Sequence, residues 1–325
     1  MAHVLVIGGN LFIGRALVER LLERGDEVTV MHRGRGTPFG NRVSEIQCDR
    51  NDADGVRDAM SGRSFDVVFD NVYDWQRGTT AEQVGATAIA AAEGGNLKRY
   101  VFMSSIAVYP PGGEYDEDAP LVPAGVPNPY SAQKAESERL LFELHARRGI
   151  PVTTLRPAFI YGPHNPFDRE AFFWDRLQAG RRLIVPEHGQ RAMQWVDVRD
   201  VAHAAVSAAS ESRAVGRAYN LASSPPLSQI EYVHLLARVA GKPANVVFVP
   251  RADIERHGGQ LFAPPLYFGV FLDIEPIVVR SNRTLELGVR LRPLEDGLRE
   301  TYRWYRQQER PQPDYSWEDG ILSAR

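Results

Sequence analysis

Three polar side chains suggest the chemistry of this sequence. Tyr130 and Lys134 stand four residues apart in Tyr130-Ser131-Ala132-Gln133-Lys134, a spacing that places both on one face of a helix. An ammonium beside a phenol favours the phenolate and draws the phenol below its ordinary pKa of about 10. A phenol tuned in this way is a general acid/base near neutral pH. Tyr-x-x-x-Lys is common by chance, so its setting decides its weight. Upstream, the apolar run Tyr100-Val101-Phe102-Met103 ends at Ser104-Ser105. A serine hydroxyl there holds a substrate oxygen against the phenol. The set Ser105, Tyr130 and Lys134 is therefore expected to move a proton at a carbinol or carbonyl oxygen.

A second group of residues points to a phosphate-bearing ligand. Gly8-Gly9-Asn10-Leu11-Phe12-Ile13-Gly14 lies between an apolar strand and a helical pattern. Glycine permits the tight turn and a close backbone approach, and the helix start supplies free N–H groups and a positive dipole end. Leu11 stands where a middle glycine is usual. The next strand ends in Met31-His32-Arg33-Gly34-Arg35. No carboxylate is available there for ribose hydroxyls, and the Arg33 guanidinium suits a 2′-phosphate. The expected cofactor is NADP, with NAD as the alternative in which this turn is merely solvated. Asp49 reads as an acceptor for the adenine amino group, or as a surface turn aspartate.

The elements that must carry these residues alternate. Val4-Leu5-Val6-Ile7 is a continuous apolar run that suits a strand buried on both faces. Ile13, Leu17, Val18, Leu21 and Leu22 recur at helical spacing, and Gly25 closes that helix. Glu27 to Met31, Asp66 to Phe69, Tyr100 to Met103 and Val152 to Leu155 read as strands, with helices over 79–93 and Tyr130 to Arg147. Alternation of this kind predicts an α/β, Rossmann-type doubly wound parallel sheet. We expect a dinucleotide-binding part over 1–162, its sheet completed by segments around 192–222. A smaller interleaved substrate-binding lid is expected over 163–325. The stretch Tyr109 to Pro129 reads as a long surface loop, Val198 to Ala209 and Ser228 to Ala240 as helices, and Val246 to Val249 as a strand.

Composition sets outer bounds. The 325 residues are 43% hydrophobic and 24% charged, with a net charge of −3. These are ordinary values for a globular chain, and the balance argues against a nucleic-acid-coating protein. The single cysteine, Cys48, excludes an internal disulfide and a multi-thiolate zinc site. The eight histidines show no metal spacing, so no metal is expected. No apolar run approaches the ~20 residues needed to span a bilayer, and the start lacks a signal-peptide pattern. A reduced, cytoplasmic protein is expected.

The ordered motifs resemble the extended short-chain dehydrogenase/reductase superfamily, in its nucleoside-diphosphate-sugar epimerase/dehydratase group, over nearly the whole chain. Ser104-Ser105-Ile106-Ala107-Val108-Tyr109 is similar to the family's Ser-Ser-x-x-Val-Tyr, and Asn128-Pro129-Tyr130 through Lys134 to its Pro-Tyr-x-x-x-Lys. Arg156-Pro157-Ala158-Phe159-Ile160-Tyr161-Gly162-Pro163 is similar to the segment that lines the nicotinamide. Trp195-Val196-Asp197-Val198-Arg199-Asp200-Val201-Ala202, Tyr219-Asn220-Leu221, Leu287-Gly288 and the run from Gly297 to Tyr305 resemble later hallmarks. Leu11 together with Met31-His32-Arg33-Gly34 resembles an atypical branch, and two further departures narrow the reading. Ile106-Ala107 replaces the acidic residue that dehydratases of the family need. Asp70-Asn71-Val72-Tyr73 replaces a small Ala-Gly pair.

The resemblance implies hydride transfer at a carbinol carbon of a nucleotide sugar or sugar-like small molecule. Tyr130 exchanges the proton, Lys134 also bonds the nicotinamide ribose, and Ser105 orients the oxygen. Asn71, Pro157 and Phe159 are expected on the cofactor. Tyr73, His164, Asn165, Arg191 and Gln194 are expected on the substrate. An epimerase and a net reductase or dehydrogenase both remain open. A homodimer built on the 81–93 and 130–147 helices is expected by analogy. Because the atypical branch includes chloroplast stem-loop RNA-binding relatives, a non-catalytic RNA-binding Rossmann fold is the alternative. Asp197 and Arg156 read as a helix cap and a structural ion pair, and Phe172-Phe173-Trp174 as lid core. Residues 163–195 and 250–276 are expected to read the substrate.

Overall fold

The structure is a computed structural model that describes residues 1–34, 36–223, 225–258 and 275–323. Arg35 and most of the 250–276 stretch lie outside the described residues. The chain begins β1 (His3–Ile7), α1 (Phe12–Glu23), β2 (Glu27–His32), β3 (Ser44–Gln47), α2 (Ala53–Met60), β4 (Val67–Asp70), α3 (Ala81–Glu93) and β5 (Arg99–Met103). Then come β6 (Gly113–Tyr115), α4 (Pro129–Arg148), β7 (Val152–Pro157), β8 (Phe159–Tyr161), α5 (Arg169–Gln178), β9 (Leu183–Pro186), β10 (Ala192–Met193) and β11 (Trp195–Asp197). They are followed by α6 (Val198–Ser210), β12 (Arg217–Leu221), β13 (Leu227–Ser228), α7 (Gln229–Ala240), β14 (Val246–Val249), α8 (Arg251–Arg256) and β15 (Ile277–Val279).

Seven strands form one sheet in the order β12-β7-β5-β4-β1-β2-β3, and every pairing in it is parallel. The strand order reverses between β1 and β4, so a crevice opens at their carboxyl ends, where ligands bind in sheets of this type. The central strands are buried on both faces: all five residues of β5 and all four of β4 are buried. One face packs Val4, Val6, Val28 and Val30 with Leu17 of α1 and Val201 of α6. The other packs Leu5, Val68, Tyr100 and Phe102 with α2, α3 and α4.

Local sequence chemistry fixes the helix that carries the tyrosine. Asn128 accepts the Ser131 N–H, Pro129 occupies the first turn, and Gly149 ends α4 at φ +68°. These are the expected start and stop signals. Thr80 and Gln83 form a reciprocal capping box on α3, which ties down the segment after β4. A separate apolar core joins Phe172, Phe173 and Trp174 of α5 to Trp195, Tyr232 of α7 and Leu298. Within the loop expected from Tyr109 to Pro129, β6 pairs in parallel with β15. Two short edges thus find each other far apart in sequence. Among the described residues, no helix is long and apolar enough to cross a membrane, and no metal-holding cluster of His, Cys, Asp or Glu occurs.

Candidate active site

The glycine turn closes directly over the crevice. Gly8 adopts φ +82° and donates its N–H to the Met31 carbonyl at 2.9 Å. Gly14 packs so tightly that a Cβ would fall 1.8 Å from the Gly8 carbonyl oxygen, and at Gly9 a Cβ would meet Val30 at 2.8 Å. Leu11 sits at the N-cap of α1 without a side-chain cap, and its side chain is 71% exposed. Leu11, turned outward, caps none of the N–H groups at the start of α1. Phe12 has φ +39°, a conformation costly for a bulky residue, and Ile13 follows, half-buried, inside α1. Asn10 donates to the Gly36 carbonyl and Asn71 to the Gly8 carbonyl. The Oδ1 atoms of both asparagines are buried without a partner.

These features fit a dinucleotide. Uncapped N–H groups at a helix start receive a pyrophosphate, and the two orphaned acceptors await donors such as ribose hydroxyls.

At the other end of the crevice, Ser105 follows β5, and its Oγ accepts the Ala107 N–H at 3.1 Å. It also lies near enough to the phenol of Tyr130 to favour the phenolate. Lys134 is buried and donates from Nζ to the Met103 carbonyl at 2.6 Å. An ammonium carries three donors, so two further bonds are open to a ribose. Burial holds the Lys134 ammonium down at about 8, against the opposing pull of Asp70. Asp70 itself is buried, accepting from Tyr100 Oη at 2.7 Å and from Arg50.

The expected effect of Lys134 on the phenol is corrected. Burial raises the pKa of Tyr130 above its ordinary value, and nearby Ser105 draws it down only in part. Lys134 is turned to the strand carbonyl instead. Tyr130 as a whole is half-buried, and an aromatic cover lies over its ring. Tyr73 meets Tyr130 edge-on at 4.7 Å, Trp75 stacks on it at 5.0 Å, and Phe167 meets Trp75 edge-on at 6.1 Å. Tyr73 is anchored by its hydroxyl to Gln133 at 2.8 Å.

Several expected ligand residues are turned to other work. Both ends of the Gln194 amide clamp the backbone of Val279, at 2.8 and 3.1 Å. Asn165 is held by Glu170 and the Phe167 N–H, and His164 packs edge-on against Trp304 at 5.1 Å. Gln194 and Asn165 thus have their amides engaged within the protein, whereas His164 makes only a ring contact. Arg191 pairs with Glu275 at 2.7 Å and lines a cleft of about 510 Å³. That cleft also holds Gln229, whose buried amide has no partner and which sequence reasoning missed. Pro157 is buried at the end of β7, and Phe159 is half-buried in β8. Arg156 forms a buried pair with Glu138 and donates to Tyr109 and to the Glu117 carbonyl, while Asp197 caps α6.

Arg33 is not a free guanidinium. It donates from Nη1 to Asp74 Oδ2 at 2.8 Å, and Asp49 accepts from Arg77 at 2.6 Å. A carboxylate does stand beside the turn after β2, but it arrives from the segment after β4.

The sequence profile described as "NAD dependent epimerase/dehydratase family" matches residues 4–222, which is most of the chain. The chain belongs to that family. Among its curated relatives is the chloroplast stem-loop binding protein of 41 kDa b of Arabidopsis thaliana, 29% identical over 256 residues. That match covers 74% of this chain and 64% of the relative. The UDP-glucose 4-epimerase of Streptomyces lividans is 28% identical, over 76% of this chain and 84% of its own. The UDP-glucose 4-epimerase of Thermotoga maritima, solved with UDP-glucose, superposes with a TM-score of 0.76 at 20% identity. It covers 94% of this chain and 98% of its own. The Thermus thermophilus epimerase, in complex with NAD, gives 0.74 at 24% identity over 94% and 99%. At such identities the epimerase/dehydratase likeness in structure is one of fold.

Proposed function

We propose that this chain is an NAD(P)-dependent enzyme of the epimerase or reductase/dehydrogenase type, acting at a carbinol carbon of a nucleotide sugar or sugar-like molecule. The observation that carries the reading is the convergence of Ser105, Tyr130 and Lys134 beside the glycine turn, at the carboxyl end of one parallel sheet. In the reaction Tyr130 takes the carbinol proton, or returns it to the ketone oxygen. Ser105 holds that oxygen in line with the phenol. Lys134 and Asn71 would hold the cofactor's nicotinamide end, and the N–H groups at Leu11–Ile13 would hold its pyrophosphate. The nicotinamide, when bound, accepts or donates the hydride. Positioning of this kind supplies much of a rate enhancement.

The basic turn favoured NADP in the sequence. Two observations now favour NAD: the solved relatives include one holding NAD, and Asp74 already engages Arg33. Family relatives act on nucleotide sugars by name, which makes UDP-glucose and UDP-galactose the first substrates to try. Mass spectrometry of small molecules released on denaturation tests the cofactor, and Tyr130→Phe tests the site. The variant is expected to bind dinucleotide normally while turnover falls by about 10²–10⁴. Equal turnover in wild type and variant overturns the reading.

The 29% match to a stem-loop binding protein supports a second reading, RNA binding by the same fold. RNA retention that falls steeply with salt, with no dinucleotide affinity, would favour it.

A further inference from the structure

The segment after β4 carries a charge network that proton transfer at Tyr130 does not use. Asp74 is buried, its side chain 5% exposed. Its Oδ2 accepts from Arg33 Nη1 at 2.8 Å, Arg77 Nε at 2.9 Å and Arg77 Nη2 at 2.7 Å. Its Oδ1 accepts the N–H groups of Gln76 and Arg77, both at 3.0 Å. Arg77 also bridges to Asp49 Oδ2 at 2.6 Å. Two guanidiniums are thus matched by two carboxylates.

Arg33 follows β2, the place where a fold of this type meets the adenosine ribose. Read in sequence, an arginine there with no carboxylate beside it suits a 2′-phosphate. In three dimensions one nitrogen of that arginine, Nη1, is already bonded to a carboxylate, while the side chain stays 58% exposed. A 2′-phosphate at Arg33 would have to compete with Asp74 for the guanidinium and would meet a network whose positive charges are already matched by carboxylates, whereas a ribose diol brings no charge. Burial opposes the Asp74 charge, yet the bonds from Arg77 and the backbone hold its carboxyl down at about 2. It is therefore ionised throughout the working range of pH.

We propose that Asp74 is the residue that selects the dinucleotide: by holding Arg33 and Arg77 and by repelling a 2′-phosphate, it makes a turn that is basic in sequence select NAD over NADP. This is selection by exclusion, built against the wrong ligand rather than for the right one. It rests on the dinucleotide site proposed above.

Titration calorimetry of NAD, NADP and adenosine 2′,5′-bisphosphate tests it on the full chain. Wild type is expected to bind NAD more tightly than NADP. Asp74→Asn is expected to tighten NADP and the bisphosphate by about tenfold, the size of one charge-assisted contact of ~1.4 kcal/mol, with NAD changed less than about twofold. Adding Arg33→Ala to Asp74→Asn should erase the gain. In wild type, raising the salt concentration should improve NADP relative to NAD, because the repulsion from Asp74 is screened, and this measurement tests the proposal even where Asp74→Asn does not fold. NADP binding as tight as NAD in wild type, no gain in Asp74→Asn, or NADP affinity that falls relative to NAD as salt rises would each overturn it. If none of the three ligands binds wild type, the dinucleotide reading falls together with this one. If NAD binds and Asp74→Asn alters nothing, only the selection by Asp74 falls.

Discussion

The indole of Trp75 lies on the ring of Tyr130, centroids 5.0 Å apart and planes 22° from parallel, while 65% of Trp75 faces solvent. A large aromatic so exposed holds its place by what it covers. Together with Tyr73 it shields the phenol from water, and burial is the main cause of the raised Tyr130 pKa. Trp75→Ala is therefore expected to lower that pKa, moving the tyrosine-dependent limb of kcat/KM to lower pH. The stacking itself is worth about 0.5–1.5 kcal/mol, so the variant should remain folded. A pH–rate profile, paired with tyrosinate absorbance in Trp75→Ala and Trp75→Phe, checks this. An unmoved limb in Trp75→Ala would show that the indole does not set the phenol's environment.

Lys134 gives a prediction in which stability and activity part company. Its folded pKa of about 8 lies below that of an unfolded lysine, ordinarily about 10.4. The unfolded chain then binds more protons between these values, so stability rises with pH across that window. Below pH 8 the buried ammonium is a full penalty, an upper bound of about 3 kcal/mol. Lys134→Met removes that penalty and leaves the Met103 carbonyl without its donor, a partial offset of about 1–3 kcal/mol. Relative to wild type, the variant should therefore lose stability steadily as pH climbs from 7 towards 10.5, and it should lose turnover at every pH. Urea unfolding at several pH values, alongside turnover, reads both. A difference in stability that does not change with pH would contradict the depressed ammonium.

How far the sequence reached depends on how local each signal was. The glycine turn and the Tyr130–Lys134 spacing were legible because β-turn chemistry and helix periodicity act within a few residues. The capping of α4 by Asn128 and Pro129 is equally local. The ion pair of Arg33 with Asp74 was not legible, because its members are 41 residues apart. They meet only once β1 lies between β2 and β4 in the sheet. Gln194 looked like a ligand for the same reason. Nothing near it in sequence announces Val279, 85 residues away, whose backbone takes both ends of its amide. The departure Asp70-Asn71-Val72-Tyr73 runs directly into Asp74 and Trp75, the residues that engage Arg33 and cover Tyr130.

Arg156 tests the frame beneath the site. It lies within the segment expected to line the nicotinamide, yet its guanidinium is consumed by Glu138, Tyr109 and the Glu117 carbonyl, all buried. Removing one member of such a network leaves an uncompensated charge, and Arg156→Ala should cost about 3–5 kcal/mol. Arg156→Lys should recover only part of this, since an ammonium cannot reproduce the forked contact. Thermal unfolding of both variants is the measurement. A loss under about 1 kcal/mol, the size of an exposed ion pair, would show that the network is not structural.

Gly14 and Gly25 separate two reasons for glycine. A Cβ at Gly14 would fall 1.8 Å from the Gly8 carbonyl oxygen and 2.7 Å from Asn71 Nδ2. The first obstacle is backbone, and so the turn itself must shift. Gly25 has φ +82° but nothing within 4 Å of a Cβ, which leaves only the left-handed strain of about 1–2 kcal/mol. Gly25→Ala should therefore lower stability by about that amount and leave dinucleotide affinity intact. Gly14→Ala should displace α1 from β1, and with it the N–H groups meant for the pyrophosphate, so that dinucleotide affinity falls by well over about tenfold. Calorimetric titration with NAD on both variants distinguishes the two effects. Wild-type affinity in Gly14→Ala would mean that the pyrophosphate does not bind at this turn.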